Sequence, residues 1–304
     1  MEKCLKLRPA VAGSGFKMEG YYVWCGSVIK EGDTYYLFAA RWPKEKGFPR
    51  GYLTDSEIVL ATTDDLSKPF EFKKVIISKR DGDKWDSCMA HNPYIFKDGD
   101  TYVLFYIGSP DGGIVTRAIG YAYSKSLTDG WMRSDEKIDL IPDANNPAVT
   151  KTTDGKYLMY FRDGDLNVYV ARADKFSGPY EIINDHIFKK GIIEDMFVYI
   201  DENGKYIMVA EDAAGKYTGL VKAGVRFESC DGVEWDGDSA VLAYDYDVDY
   251  DDGTHLFMQR RERPFILDDN GRRYLFTTAK INGEERLTGG DTWNMVQEIE
   301  EEYK

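Results

Sequence analysis

The sequence predicts an all-β protein, a five-bladed β-propeller forming a single domain across residues 1–304. Three observations predict it. Five β-hairpin patterns recur along the chain. Most are followed by a third strand pattern and another turn. Each hairpin starts with side chains unlike the apolar interior of its own strand. Repeats of ~40–50 residues with several strands each are the mark of a propeller, in which each repeat is one blade.

The hairpins align on their turns. The first reads WCGSVIKEGDTYYLFAARWP from Trp24, and the second AHNPYIFKDGDTYVLFYIGS from Ala90. The third is NNPAVTKTTDGKYLMYFRDG from Asn145, the fourth IEDMFVYIDENGKYIMVAED from Ile193 and the fifth RERPFILDDNGRRYLFTTAK from Arg261. In each, Gly-Asp, Asp-Gly or Asn-Gly supplies the positive φ of a tight hairpin turn. Third strands follow four of them: SEIVLATTDDLSKPFEF, RAIGYAYSKSLTDGWMR, NVYVARADKFSGPYEII and KAGVRFESCDGVEWDG. DTWNMVQEI completes the fifth blade or forms a short helix. Blade cores are expected near 24–72, 90–133, 145–183, 193–235 and 261–300. Cys25 and Asn92 stand 67 residues apart, and Asp195 and Arg263 stand 68 apart. The added length is expected in loops at Arg41–Thr54 and Leu242–Arg260. A β-sandwich is the alternative, but its hairpins would not repeat the same unusual entrances.

Composition narrows the function. Apolar residues make up 43% of the chain, enough for a sizeable core, and 22 tyrosines favour strands and surfaces that stack on flat ligands. The net charge of −14 offers no basic stripe for nucleic acid and disfavours an anionic membrane. A small carbohydrate fits better as partner. Cys4, Cys25, Cys88 and Cys230 form no paired motif and read as reduced thiols. A metal held by Cys25, Cys88 and His91 is the minority view; no cofactor is expected, with a central metal ion left open. The N-terminal MEKCLKLRPAVAGSGF lacks a signal-peptide core, and no apolar run is long enough to span a bilayer, so a cytoplasmic protein is expected.

In a hairpin, the start of the first strand and the end of the second share one end. In a propeller those ends gather around the axis. The entrances are Trp24-Cys25, His91-Asn92, Asn145-Asn146, Glu194-Asp195 and Glu262-Arg263; the exits carry Arg41-Trp42, Gly108-Ser109, Arg162-Asp163, Glu211-Asp212 and Lys280. Any one of these residues is explained by water at a strand end. As a set at equivalent positions, they point to a shared central pocket.

The xxP–strand–DG–strand repeats, the third strands YAYSKSLTDGW and VARADKFSGPYE, and the entrances NNPAV, IIEDMFVY and RRERPFIL resemble the five-bladed β-propeller glycoside hydrolases, the group of families 43, 32, 68, 117 and 130. The resemblance covers nearly the whole chain. It implies carboxylate acid/base chemistry on a glycosidic bond. Family 43 places an Asp base on blade one, a second Asp nearer the middle and a Glu acid on blade four. Glu194 matches the last. Trp24-Cys25 and Asn145-Asn146 stand where the others would be, and the adjacent Glu194-Asp195 is more like families 117 and 130.

Glycoside hydrolysis needs one group to protonate the leaving oxygen and another to activate water or attack carbon. Glu194 is the expected acid, its pKa raised by crowding from Asp195, Glu211 and Asp212; pairing with Arg162 or Arg263 would make it structural instead. Asp86 is the expected base and Asp195 its rival. His91 is a sugar hydroxyl ligand, a proton donor or a ligand of a central water or ion. Trp24, Trp42 and Trp85 offer stacking faces, though core packing is the usual task of Trp. Arg41, Arg162, Arg261 and Arg263 are fixed donors; a free one would suit an acidic sugar or phosphate, which keeps phosphorolysis open. Asn92, Asn146, Asp212 and Glu262 complete the expected substrate-binding set. The run DYDVDYDDG from Asp245 fails as a calcium loop, with Tyr250 where Gly is needed and Leu256 where Glu belongs, and reads as a solvated acidic loop at the pocket mouth, with His255 reaching inward. The reading is a glycosidase acting on a terminal sugar or short oligosaccharide. The alternatives are a glycoside phosphorylase and a non-catalytic glycan-binding propeller.

Overall fold

The computed structural model describes residues 3–285 and 287–303. Strand β1 (Leu5–Leu7) is followed by the four strands of blade one: β2 (Tyr21–Glu31), β3 (Thr34–Pro43), β4 (Glu57–Thr63) and β5 (Glu71–Ile77). Blade two is β6 (Met89–Asp98), β7 (Thr101–Ser109), β8 (Ala118–Ser124) and β9 (Met132–Arg133). Blade three is β10 (Asn145–Lys151), β11 (Tyr157–Arg162), β12 (Val168–Ala173) and β13 (Glu181–Asn184); blade four is β14 (Ile193–Ile200), β15 (Tyr206–Asp212), β16 (Ala223–Ser229) and β17 (Val241–Tyr244). A hairpin, β18 (Asp247–Asp249) and β19 (His255–Phe257), precedes blade five, which is β20 (Arg260–Asp269), β21 (Arg272–Ile281) and β22 (Asp291–Glu302). DTWNMVQEI is therefore strand, within β22. Each blade is an antiparallel sheet in chain order, except that β1 pairs with β22 as the fourth strand of blade five. The N-terminal strand thus ties the ring shut, a pairing that the expected blade limits leave out.

The first strand of every blade carries the same irregularity. The register shifts between Trp24 and Ser27, His91 and Tyr94, Asn145 and Ala148, Glu194 and Phe197, and Glu262 and Phe265. Inside each bulge one residue is left-handed: Cys25, Asn92, Asn146, Asp195 and Arg263, with φ between 53° and 59°. Asn and Asp tolerate this conformation best. Pro93, Pro147 and Pro264 follow three of them, where the interrupted ladder asks for no N–H. Gly26 follows Cys25 because a Cβ there would stand 2.4 Å from Asn294 Oδ1. A bulge re-aims side chains, so each blade turns its two entrance residues toward the axis.

The two long connections differ from each other. Lys44–Ser56 holds a 3-10 turn (Lys44–Lys46) and one helical turn, α1 (Tyr52–Asp55), and covers the pocket. The acidic run forms the β18–β19 hairpin instead, packing Val248 and Met258 on Trp293 and Met295 of blade five. His255 is exposed and bridges Asp249 (2.9 Å) and Asp247 (3.2 Å) within that hairpin, so it does not reach the pocket.

Candidate active site

The five left-handed residues meet side chain to side chain. Cys25 Sγ donates to Asn92 Oδ1 (2.9 Å), Asn92 Nδ2 to Asn146 Oδ1 (2.7 Å) and Asn146 Nδ2 to Asp195 Oδ1 (2.6 Å). Arg263 completes the set, with Nη1 at 3.2 Å from Asp195 and Nη2 donating to Asn146 at 3.1 Å, and its charge acts on the Cys25 thiol. Polar groups from five blades are therefore satisfied by one another, as burial requires. Burial pushes the Cys25 thiol up to about 12, which leaves it an unreactive donor.

Beside this ring lies a cavity of about 120 Å³. Of the residues expected from sequence, Trp24, Trp42, His91, Asn92, Asn146, Arg162, Glu194, Asp195, Glu262 and Arg263 line it. One wall is aromatic. Phe48 from the covering segment stacks on Trp42 (6.1 Å) and tilts against Trp24 (5.4 Å); Tyr52 stacks on His91 (4.5 Å). His91 also shares a hydrogen bond with Ser56 Oγ (2.8 Å), and burial, with Arg263 and Arg117 nearby, holds its pKa well below the ordinary value. It is a neutral imidazole at pH 7, suited to a hydroxyl and not to cationic acid catalysis.

The other wall is charged. Arg260 forks Glu262, Nε at 2.5 Å and Nη2 at 2.6 Å, while its guanidinium lies over Trp24 (4.8 Å). Arg117 forks Asp143 at 2.7 and 3.0 Å. Behind the cavity, Glu211 takes a short hydrogen bond from Lys222, and its second oxygen has no partner among the described residues. Burial, then Glu262, drives the Glu211 pKa well above the carboxylate range; burial also raises Asp195, against the pull of Arg263. Glu194 is held more loosely, with Lys222 at 3.5 Å and Arg162 at 3.6 Å. Among the described residues, Asp195, Glu211 and Glu262 have the spacing of a metal group, but Arg263, Lys222 and Arg260 already face them one for one.

Several expected residues lie elsewhere. Asp86 is fully buried outside the cavity, bonded to Arg80 Nε (2.6 Å) and Tyr106 (2.7 Å), with Arg133 at 3.6 Å. Arg41 pairs with Glu57 (2.7 Å) over the Tyr21 ring. Asp212 accepts from the amides of Lys216, Tyr217 and Thr218 and fixes a loop. Trp85 packs on Tyr106, and Arg261 turns to Gln297 (2.6 Å). Cys88 donates to the Pro110 carbonyl and joins no group with Cys25 and His91 among the described residues. Conversely, Arg260, Arg117, Phe48 and Tyr52 line the cavity without having been expected there. Arg260 could have been found, since two residues along a strand from Glu262 lies on the same face; the covering segment carried no repeat signal.

A larger cavity of about 410 Å³ lies between blades four and five, among Tyr199, Arg226, Arg273 and Glu302. Its arginines pair with Glu302 and Glu228, with Arg273 Nη2 left without a hydrogen-bond partner among the described residues, and it gathers none of the entrance residues.

No protein-family model matches the chain, and no curated protein matches it in sequence. Solved structures do match in shape. One described as a glycoside hydrolase superposes with a TM-score of 0.76 at 16% identity, covering 99% of this chain and 94% of its own. The chain shares the five-bladed propeller fold of these structures. A family 117 glycoside hydrolase from the marine bacterium Zobellia galactanivorans matches with a TM-score of 0.71 at 16% identity over 98% of this chain and 91% of its own. A family 43 β-xylosidase/α-arabinofuranosidase from a compost microbial metagenome, in complex with xylotriose, gives 0.65 at 14% identity over 96% and 95%.

Proposed function

We propose that this propeller is a glycoside hydrolase removing a terminal sugar in its axial pocket, with Glu194 as the proton donor to the leaving oxygen. The observation that carries the reading is the contrast among the three carboxylates on the cavity. Asp195 is locked in the ring and Glu262 in an arginine fork, while Glu194 has no charged partner closer than 3.5 Å among the described residues. A proton donor must be free to meet the leaving oxygen. Glu262, oriented by Arg260, is the second carboxylate, activating water or meeting the anomeric carbon. Asp195 adds negative charge beneath the developing oxocarbenium ion.

The cavity of about 120 Å³ is too small for a run of polymer subsites, which favours action on a terminal unit. His91, on the cavity wall and held neutral, offers a hydroxyl partner. The test is an aryl-glycoside screen with wild type and Glu194→Gln, with and without inorganic phosphate. Hydrolysis lost in the variant supports the reading, phosphate-dependent turnover converts it to phosphorolysis, and sugar binding without turnover in both proteins refutes it.

A further inference from the structure

Around the ring and cavity four oppositely charged pairs are close: Arg117 with Asp143, Arg260 with Glu262, Arg263 with Asp195, and Lys222 with Glu211. Arg162 and Glu194 remain, 3.6 Å apart. Arg162 stands at the end of β11, and its side chain is 11% exposed. Among the described residues, its one hydrogen bond runs from Nη1 to the Asp163 carbonyl (3.0 Å), and Nε, though buried, has no partner.

The Nε–Nη2 edge of Arg162 makes no hydrogen bond among the described residues: Nη2 faces Glu194 Oε1 at 3.6 Å, an ion-pair distance, and Nε has no partner. Elsewhere this chain gives that same edge to a carboxylate. Arg117 donates Nε and Nη2 to Asp143, and Arg260 donates Nε and Nη2 to Glu262, both at this cavity. Arg272 does the same to Glu298 on the surface. The planar fork matches two carboxylate oxygens, and a buried unpaired donor is unfavourable until something meets it.

We propose that the pocket selects a sugar bearing a carboxylate, a hexuronic acid, and that Arg162 reads the carboxylate through its Nε–Nη2 edge. This inference rests on the glycosidase reading for one step. When Glu194 carries the proton it is to donate, the carboxylate that faces Arg162 loses its charge, and a substrate carboxylate takes over that role. A neutral sugar would leave Arg162 without a carboxylate partner at the moment of catalysis.

The test is calorimetric titration of the full chain with glucuronate and galacturonate, against glucose and galactose and against glucose 6-phosphate and glucose 6-sulfate. Wild type is expected to bind at least one uronate roughly tenfold or more tighter than its neutral counterpart, the scale of a charge-assisted hydrogen-bond pair. Arg162→Gln is expected to erase that preference, and Arg162→Lys to restore a part of it; thermal melts verify that both variants fold. Glu194→Gln is expected to keep the preference, because the proton donor is not the carboxylate reader. Equal or tighter binding of the neutral sugars, a preference that survives Arg162→Gln, or equal binding of the phosphate and sulfate esters overturns the proposal. Turnover is not needed for the binding titrations. Uronate selectivity in a protein without glycosidase activity would refute the catalytic reading alone, and hydrolysis confined to neutral glycosides would refute this one alone.

Discussion

The two walls of the axial cavity are built from different physics. On the side of blades one and two, Trp24, Trp42, Phe48, Tyr52 and His91 pack ring against ring, and the titratable member is held neutral. On the side of blades three to five, charged groups are paired around Glu194, which lacks a close partner among the described residues. The equivalent backbone bulge serves both. A repeat that fixes where side chains go leaves open what they are, so one half can provide shape and the other chemistry.

The substitutions that would break this division run from large effects to small. Glu194→Gln should lower turnover by roughly 10²–10⁴-fold, the range for a general acid, with the melting temperature nearly unchanged. Unchanged turnover would move the chemistry elsewhere. Asp195→Ala should instead cost stability, roughly 3–5 kcal/mol, because Arg263 is left charged and buried in the ring; chemical denaturation reads this directly. A mild effect there would mean that the ring is decorative.

The walls should also differ in their response to pH. Glu211 has a raised pKa in the folded protein, so it binds its proton more tightly there than in the unfolded chain. Stability from this group is full at low pH and is lost as pH rises above the ordinary Glu value of 4.5 toward the raised one. His91 has a lowered pKa, so its contribution is full above 6.5 and is lost as pH falls below it. Each slope is at most about 1.4 kcal/mol per pH unit. Glu211→Gln should flatten the rising-pH loss and His91→Asn the falling-pH loss. Melting curves across pH in which each variant keeps the wild-type limb would contradict the assignment. The smallest effect belongs to the covering segment. Phe48→Ala should raise KM several-fold with kcat less affected, as expected when a contact binds ground state and transition state alike.

The fold was legible because the hairpin turns and apolar strands repeat, and propeller symmetry follows from the repeat alone. The closing strand Leu5–Leu7 was not, since three residues far from their partner carry no local pattern. The entrances were legible as pocket residues for the same reason of symmetry: Glu194, Asp195, Glu262 and Arg263 were found by position. Three of the residues that lie outside the cavity do so for one reason. Asp86, Arg41 and Asp212 are charged residues near strand ends whose neighbours, Arg80, Glu57 and the 216–218 amides, come from loops or adjacent strands. Sequence shows a charge but not the partner that neutralises it. Phe48 and Tyr52 were missed conversely, because a covering segment outside the repeat has no counterpart to align with.

The most direct measurement is a crystal structure of the Glu194→Gln variant with a bound sugar. The account predicts one sugar ring at the axial cavity, with the substituted amide at its glycosidic oxygen and Glu262 near the anomeric carbon. A sugar seated in the cavity between blades four and five, with the axial cavity holding none, would contradict it.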